Sequence, residues 1–254
     1  MSSGSIGADD RASDARVEAS LVAHRLTCGK IAIVKHLAFA YPHRYRPARA
    51  QALHGALILL HGYGSNEDDL FSLTSFLDER FHVLSLRAPL ALMPGAYAWF
   101  PLAFTARGEA VVNAEDALQG VNHAVNLVRE AAQALAQPAQ RTFLLGFSQG
   151  AVMAAALLAL LPQHVAGAVL MSGTAPPESL APQPDALRGK STLVTHGLYD
   201  EILPVHHGRA LVAWLRRRGA NVAHAEYPAA HTIDEAMLED LDRWLGARLD
   251  LAGN

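Results

Sequence analysis

Cysteine is nearly absent from this chain: Cys28 is the only one in 254 residues. A single thiol forms no intrachain disulfide, so an oxidising compartment is not implied and cytoplasm is the default expectation. Charge is also sparse. Lys, Arg, Asp and Glu make up 18% of the residues and the formal net charge is -3, which gives no electrostatic grip on nucleic acid. Long apolar runs are missing as well. The longest extends from Ala151 to Leu161, short of the roughly 20 residues a hydrocarbon core demands, so no membrane span is expected. The opening stretch MSSGSIGADDRASDARVEAS lacks the apolar segment of a secretory signal and reads as a mobile tail over residues 1–25.

Cofactor signatures fail too. His61-Gly-Tyr-Gly-Ser-Asn has no third glycine for a dinucleotide fingerprint, and Pro184 stands where a phosphate loop ending in Gly189-Lys190-Ser191 needs glycine. There is no His-Glu-x-x-His and no cysteine pair, so no metal site has ligands at a telling spacing. Neither a cofactor nor a metal is expected.

Apolar residues are plentiful, at 51% of the chain. That proportion and length suit one large core, and residues 26–254 are expected to form a single domain. Short apolar pieces between Leu26 and Gln51, broken by Pro42 and Pro47, suggest a leading hairpin or edge strands. From Ala56 onward the pattern is regular. Strand-like runs occur at Ala56 to Leu60, His82 to Leu86, Thr142 to Leu145, Val165 to Met171, Thr192 to Thr195 and Val222 to Tyr227. Helical segments lie between most of them. The clearest is Ala114 to Leu135, with Leu118, Val121, Val125, Val128, Ala132 and Leu135 forming an expected buried stripe. Alternating strands and helices predict an α/β fold with a mostly parallel sheet covered on both faces, whose ligands gather at the carboxyl ends of the strands. Two long connections, Arg87 to Asn113 and Thr174 to Lys190, are expected to be irregular and functional.

Gly-Phe-Ser-Gln-Gly at residues 146 to 150 carries the chemistry. The bare pattern Gly-x-Ser-x-Gly is weak, since this composition yields it by chance in roughly one chain in fourteen. Its context is what counts: Arg141 to Leu145 reads as a strand and Ala151 to Leu161 as a helix ending at Pro162. A strand turning sharply into a helix exposes the hydroxyl of Ser148, and the crowding explains glycine at 146 and 150.

A serine hydroxyl is a poor nucleophile until a histidine takes its proton and a carboxylate steadies that histidine. Asp200 follows the run Thr192 to Thr195, and His231 follows the last strand and precedes a helix over Ile233 to Leu249. Both therefore fall at the same sheet edge as Ser148, in the order Ser, Asp, His. Developing negative charge on the substrate oxygen needs two donors. The backbone N–H of Gln149 is one candidate, and that of Tyr63, in the turn His61-Gly62-Tyr63-Gly64 after the strand Ala56 to Leu60, is the other. Ser65 or Asn66 is placed to cap a helix beginning near Glu67.

The segments LHGYGSNEDDL (Leu60 to Leu70), GFSQGAVM (Gly146 to Met153) and HGLYDEILP (His196 to Pro204) together resemble the phospholipase/carboxylesterase family. The resemblance spans about Leu53 to Leu249 and departs at Ala230, where such proteins usually carry glycine. It implies an α/β-hydrolase fold without a large cap domain, Ser148, Asp200 and His231 as triad, Tyr63 and Gln149 as oxyanion donors, and cofactor-free hydrolysis of a small-molecule ester or thioester. A small-ester carboxylesterase is the first expectation. A thioesterase or lysophospholipase acting on acylated proteins or lipids is the second, and a non-catalytic binding protein that keeps the fold is the third. The stretch Gly95 to Phe100 is similar to an aromatic segment near the acyl pocket in this family, which makes Trp99 either a substrate-binding wall or an aromatic plugging the core. An apolar rim around such a pocket could also serve as a homodimer contact.

Overall fold

The computed structural model describes residues 37–49, 53–105, 110–178 and 185–253. The N-terminal tail, Cys28 and half of the expected leading hairpin lie outside these residues, as does the centre of the second long connection. In chain order the strands are β1 (His43–Arg46), β2 (Gly55–Leu60), β3 (Phe81–Leu86), β4 (Leu90–Met93), β5 (Ala96–Ala98), β6 (Ala103–Phe104), β7 (Ala110–Val111), β8 (Thr142–Phe147), β9 (Gly167–Met171), β10 (Ser191–Gly197) and β11 (Asn221–Tyr227). The helices are α1 (Ala114–Leu135), α2 (Gln149–Leu160), α3 (His206–Arg217) and α4 (Glu235–Leu251).

Seven strands join one sheet in the order β1-β3-β2-β8-β9-β10-β11. Only the edge strand β1 is antiparallel to its neighbour; the pairs from β3 to β11 are all parallel. Parallel neighbours need crossovers, and the helices supply them. The expected fold is present. Its inner strands β2, β3, β8, β9 and β10 are buried on both faces and alternate between two cores, as period-2 geometry dictates. In β2, Ala56, Ile58 and Leu60 face the core that takes in residues of α1, α2 and α3, while Leu57 and Leu59 face the core built with α4.

Three expectations change in detail. The connection Arg87 to Asn113 holds two small antiparallel ribbons, β4 with β5 and β6 with β7, and no large cap occurs among the described residues. The helix expected near Glu67 is a 3-10 segment at Leu70–Phe76. In α1 the buried stripe is rotated: Ala117, Gly120, Val121, Ala124, Leu127, Val128, Ala131 and Leu135 are buried, while Leu118 is 43% exposed. The reason is close approach. A Cβ at Gly120 would lie 2.4 Å from the Trp99 carbonyl oxygen, so the helix turns Gly120 to the backbone beneath it. Asn113 caps the start of α1, its side chain accepting from the N–H groups of Glu115 and Asp116.

Helix α2 is the central element. Gln149 through Ala159 are all buried, which is how a helix apolar on every side must sit. It leaves β8 through a turn so tight that a Cβ at Gly146 would lie 2.2 Å from the Gly150 carbonyl oxygen, and one at Gly150 would lie 1.8 Å from the Leu60 carbonyl oxygen.

Candidate active site

That turn holds Ser148 at φ 53° and ψ -117°, a region a side-chain-bearing residue occupies only under constraint. Two bonds to its backbone impose it: Ser148 N–H donates to the Met171 carbonyl at 2.9 Å, and the Ser148 carbonyl accepts from Ala151 at 3.0 Å. The serine thus stands between the carboxyl end of β8 and the first turn of α2. Gly62 faces it directly, since a Cβ there would come within 3.5 Å of the Ser148 Cβ and of the Phe147 ring. The turn after β2 that carries Tyr63 is therefore beside the serine.

Asp200 lies on the loop after β10 and is buried, at 4% exposure. Its Oδ1 accepts from the N–H groups of Ile202 (3.0 Å) and Leu203 (2.7 Å), and its Oδ2 accepts from His231 Nδ1 at 2.7 Å. His196, fully buried at the end of β10, places Nε2 at 3.3 Å from the same Oδ2 and donates it to the Leu203 carbonyl at 2.6 Å. Burial opposes ionisation of Asp200, but the hydrogen bonds from His196 and His231, the charge of His231 and the Leu203 N–H outweigh it, and the carboxyl is held far below its ordinary range. An ionised carboxylate results, bonded by Ile202, Leu203 and His231 with His196 Nε2 close beside it. It orients His231 so that Nδ1 carries the proton and Nε2 carries the lone pair.

His231 reaches the serine's neighbourhood through Phe147, whose ring lies 4.9 Å from the imidazole between centroids. Its loop folds over Gly197, where a Cβ would meet the carbonyl oxygens of Ala229 and Ala230 at 2.3 Å each. Ala230 itself is not among the residues with positive φ, so the replacement of the customary glycine costs no backbone strain there. Two carboxylates flanking His231 in the sequence are committed elsewhere: Glu226 pairs with Arg209, both contacts at 2.8 Å, and Asp234 caps α4 by accepting from Met237 N–H.

Trp99, expected either as a substrate wall or as a core aromatic, is 1% exposed and packs in the core. It donates its indole N–H to the His61 carbonyl at 2.8 Å and its backbone N–H to Gln149 Oε1 at 2.9 Å. Gln149 also donates Nε2 to the Phe100 carbonyl at 2.8 Å. Sequence reasoning valued Gln149 for its backbone alone. Its side chain is in fact a buried, doubly bonded amide, and the available signal was its position inside an otherwise apolar helix, where an amide must find partners. His61 and His196 were likewise missed as buried polar supports, although both stand in the motifs.

The loop after β2 has a second anchor. Glu67 is buried and takes a two-pronged contact from Arg87, with Nε to Oε2 at 2.6 Å and Nη2 to Oε1 closing the pair. Arg87 stacks 4.6 Å over the Tyr97 ring, and Tyr97 exchanges backbone bonds with Gly64 (2.9 Å) and Ser65 (2.8 Å). Among the described residues no group of three or more His, Cys, Asp or Glu is placed to hold a metal ion, and no helix is long and apolar enough to cross a membrane.

A parallel sheet with a constrained serine between strand and central helix, and an Asp–His pair on the loops at the same edge, defines an α/β-hydrolase. The chain belongs to the phospholipase/carboxylesterase family, which it matches over residues 47–248. It is 29% identical over 188 residues to the protein MhqD of Bacillus subtilis, covering 74% of this chain and 90% of that one. It is 30% identical over 156 residues to acyl-protein thioesterase 1 of Debaryomyces hansenii, covering 59% of this chain and 65% of that one. Among solved structures it resembles the Bacillus cereus carboxylesterase, with TM-score 0.69 and 26% identity over 81% of this chain and 93% of that one.

Proposed function

We propose that this chain is a serine hydrolase that cleaves small carboxylic esters through an acyl-enzyme on Ser148. The observation that carries the reading is the buried, ionised Asp200 holding His231 Nδ1 at 2.7 Å, on the same sheet edge as a serine in a constrained turn. Ser148 Oγ attacks the carbonyl carbon while His231 Nε2 takes its proton. Asp200 stabilises the imidazolium, and the N–H groups of Tyr63 and Gln149 receive the negative oxygen. The tetrahedral adduct collapses as His231 gives the proton to the leaving alcohol. Water, deprotonated by the same histidine, then attacks the acyl-serine and releases the acid.

The similarity to a named acyl-protein thioesterase favours one second reading, in which the leaving group is a thiol or the substrate an acylated lipid. The same triad serves both, because the attack and the oxyanion are identical and only the leaving atom differs. Two measurements decide. Ser148→Ala should abolish esterase activity and labelling by a fluorophosphonate while the protein stays folded; labelling that persists in this variant would overturn the assignment. Turnover across p-nitrophenyl esters of increasing chain length, beside the matching acyl-thioesters, then separates the two substrate classes by kcat/KM.

A further inference from the structure

The two proposed oxyanion donors come from segments far apart in sequence, Tyr63 after β2 and Gln149 at the start of α2. Their strands are neighbours, with β2 paired to β8 up to Leu60 and Gly146, and Gly150 packs against the Leu60 carbonyl. Trp99 adds hydrogen bonds to both segments beyond that ladder. Its indole N–H holds the His61 carbonyl at 2.8 Å, two residues before Tyr63, and its backbone N–H holds Gln149 Oε1 at 2.9 Å. Gln149 completes a two-bond clamp on the same segment through Nε2 and the Phe100 carbonyl, at 2.8 Å.

Every member is shut away from water: His61 is fully buried, and Trp99, Phe100 and Gln149 are all within 5% of full burial. Hydrogen bonds in such surroundings are stiff, and losing one leaves a buried polar group unpaired. The His61 ring is part of the clamp. Ala88 N–H donates to its Nε2 at 3.1 Å, so the neutral ring carries its proton on Nδ1, which donates to the Gly62 carbonyl at 2.7 Å. Burial pushes the His61 pKa down and keeps the ring neutral. From above, α1 presses on the brace at Gly120, in contact with the Trp99 carbonyl and the Phe100 side chain.

We infer that Trp99 and the Gln149 side chain are positioning residues, a buried cross-brace that sets the distance between the Tyr63 and Gln149 N–H donors. The inference rests on the serine-hydrolase reading above and deepens it. Donors aimed at a developing oxyanion act only at the correct distance, and a displacement near 1 Å at a reacting centre costs about a hundredfold in rate. Releasing the brace therefore weakens the transition state and leaves substrate binding nearly as it was. A substrate wall would do the reverse.

The test compares Trp99→Phe, Gln149→Met, the double variant and Ser148→Ala with the parent protein, using p-nitrophenyl butyrate and a boronic acid that forms a tetrahedral, anionic adduct on serine. Circular dichroism and the thermal midpoint check that each variant is folded. Each single variant should lose about 10- to 100-fold in kcat with KM within about threefold, and bind the boronic acid more weakly in step with its loss of kcat/KM. The double variant should lose little beyond the worse single one, since breaking either arm frees the brace. If Trp99→Phe folds poorly, Gln149→Met carries the same test with the indole still packed. A raised KM at unchanged kcat, or losses that multiply in the double variant, would overturn the brace. Parent-like kcat in both singles while Ser148→Ala is inactive would overturn the brace alone, whereas activity in Ser148→Ala overturns the serine reading with it.

Discussion

Asp200 shows how much one residue can be asked to do. It sits buried and stays ionised because three donors bond it, two backbone N–H groups and His231, with His196 Nε2 a further 3.3 Å contact. Replacing it by asparagine keeps the volume and the Oδ1 acceptor, but puts an NH2 group where His231 Nδ1–H now donates. The imidazole then turns or changes tautomer. Asp200→Asn should fold, with a thermal midpoint near that of the parent, and lose up to about ten-thousand-fold in kcat, the loss known for a Ser-His-Asp triad. Steady-state turnover of a p-nitrophenyl ester measures it, and a near-normal rate would remove Asp200 from the acid role. Ser148, Asp200 and His231 could be proposed from the sequence because each sits in a short motif and they follow in the order Ser, Asp, His. The roles of Trp99, His61, His196 and the Gln149 side chain could not, because each depends on a partner met only in the fold; Trp99 and Gln149, for example, are fifty positions apart.

Helices and strands were read well where periodicity and burial agree. β2, β3 and β10 lie within a residue or two of the apolar runs that foretold them, since strands buried on both faces read as largely apolar runs. α1 was read correctly in extent and wrongly in rotation, for a reason the sequence pattern could not supply: a glycine packed against a carbonyl outranks a leucine in deciding which face turns inward. A specific expectation follows for Gly120→Ala. Helix propensity favours alanine by about 1 kcal/mol, but its Cβ would lie 2.4 Å from the Trp99 carbonyl oxygen and 3.1 Å from the Phe100 Cβ, and overpacking against backbone costs roughly 1–3 kcal/mol. Backbone yields less than a side-chain end, so the steric cost wins. Urea unfolding should show a lower midpoint for Gly120→Ala; a higher one would mean that α1 does not press on Trp99.

For the molecule as a whole, histidine burial gives stability a definite dependence on pH. His61, His82, His207 and His224 all have lowered pKa values, with burial the first cause in each and neighbouring cations or histidines adding to it. A group of this kind binds fewer protons when folded than when unfolded. Its stabilising effect is therefore complete above the unfolded histidine value of about 6.5 and is lost as pH falls through it. Depressed carboxyls at Asp200, Glu67 and Asp78 continue the loss below pH of about 4, with Asp242, raised by burial, opposing them. The thermal midpoint should decline between pH 8 and 5, before the carboxylates titrate. A midpoint flat across that interval would contradict the burial of these four rings.

By itself the sequence determined the class of fold, the order of its main elements and the three residues of the proposed triad, because alternating apolar runs and short motifs are local properties that need no third dimension. Only the tertiary structure decided what holds those residues in register: which face of α1 is buried, that His196 as well as His231 lies against Asp200, and that Trp99 lies in the core tying His61 to Gln149. Those facts depend on distances between segments brought together by the parallel sheet, and such distances are set by close packing rather than by any pattern along the chain.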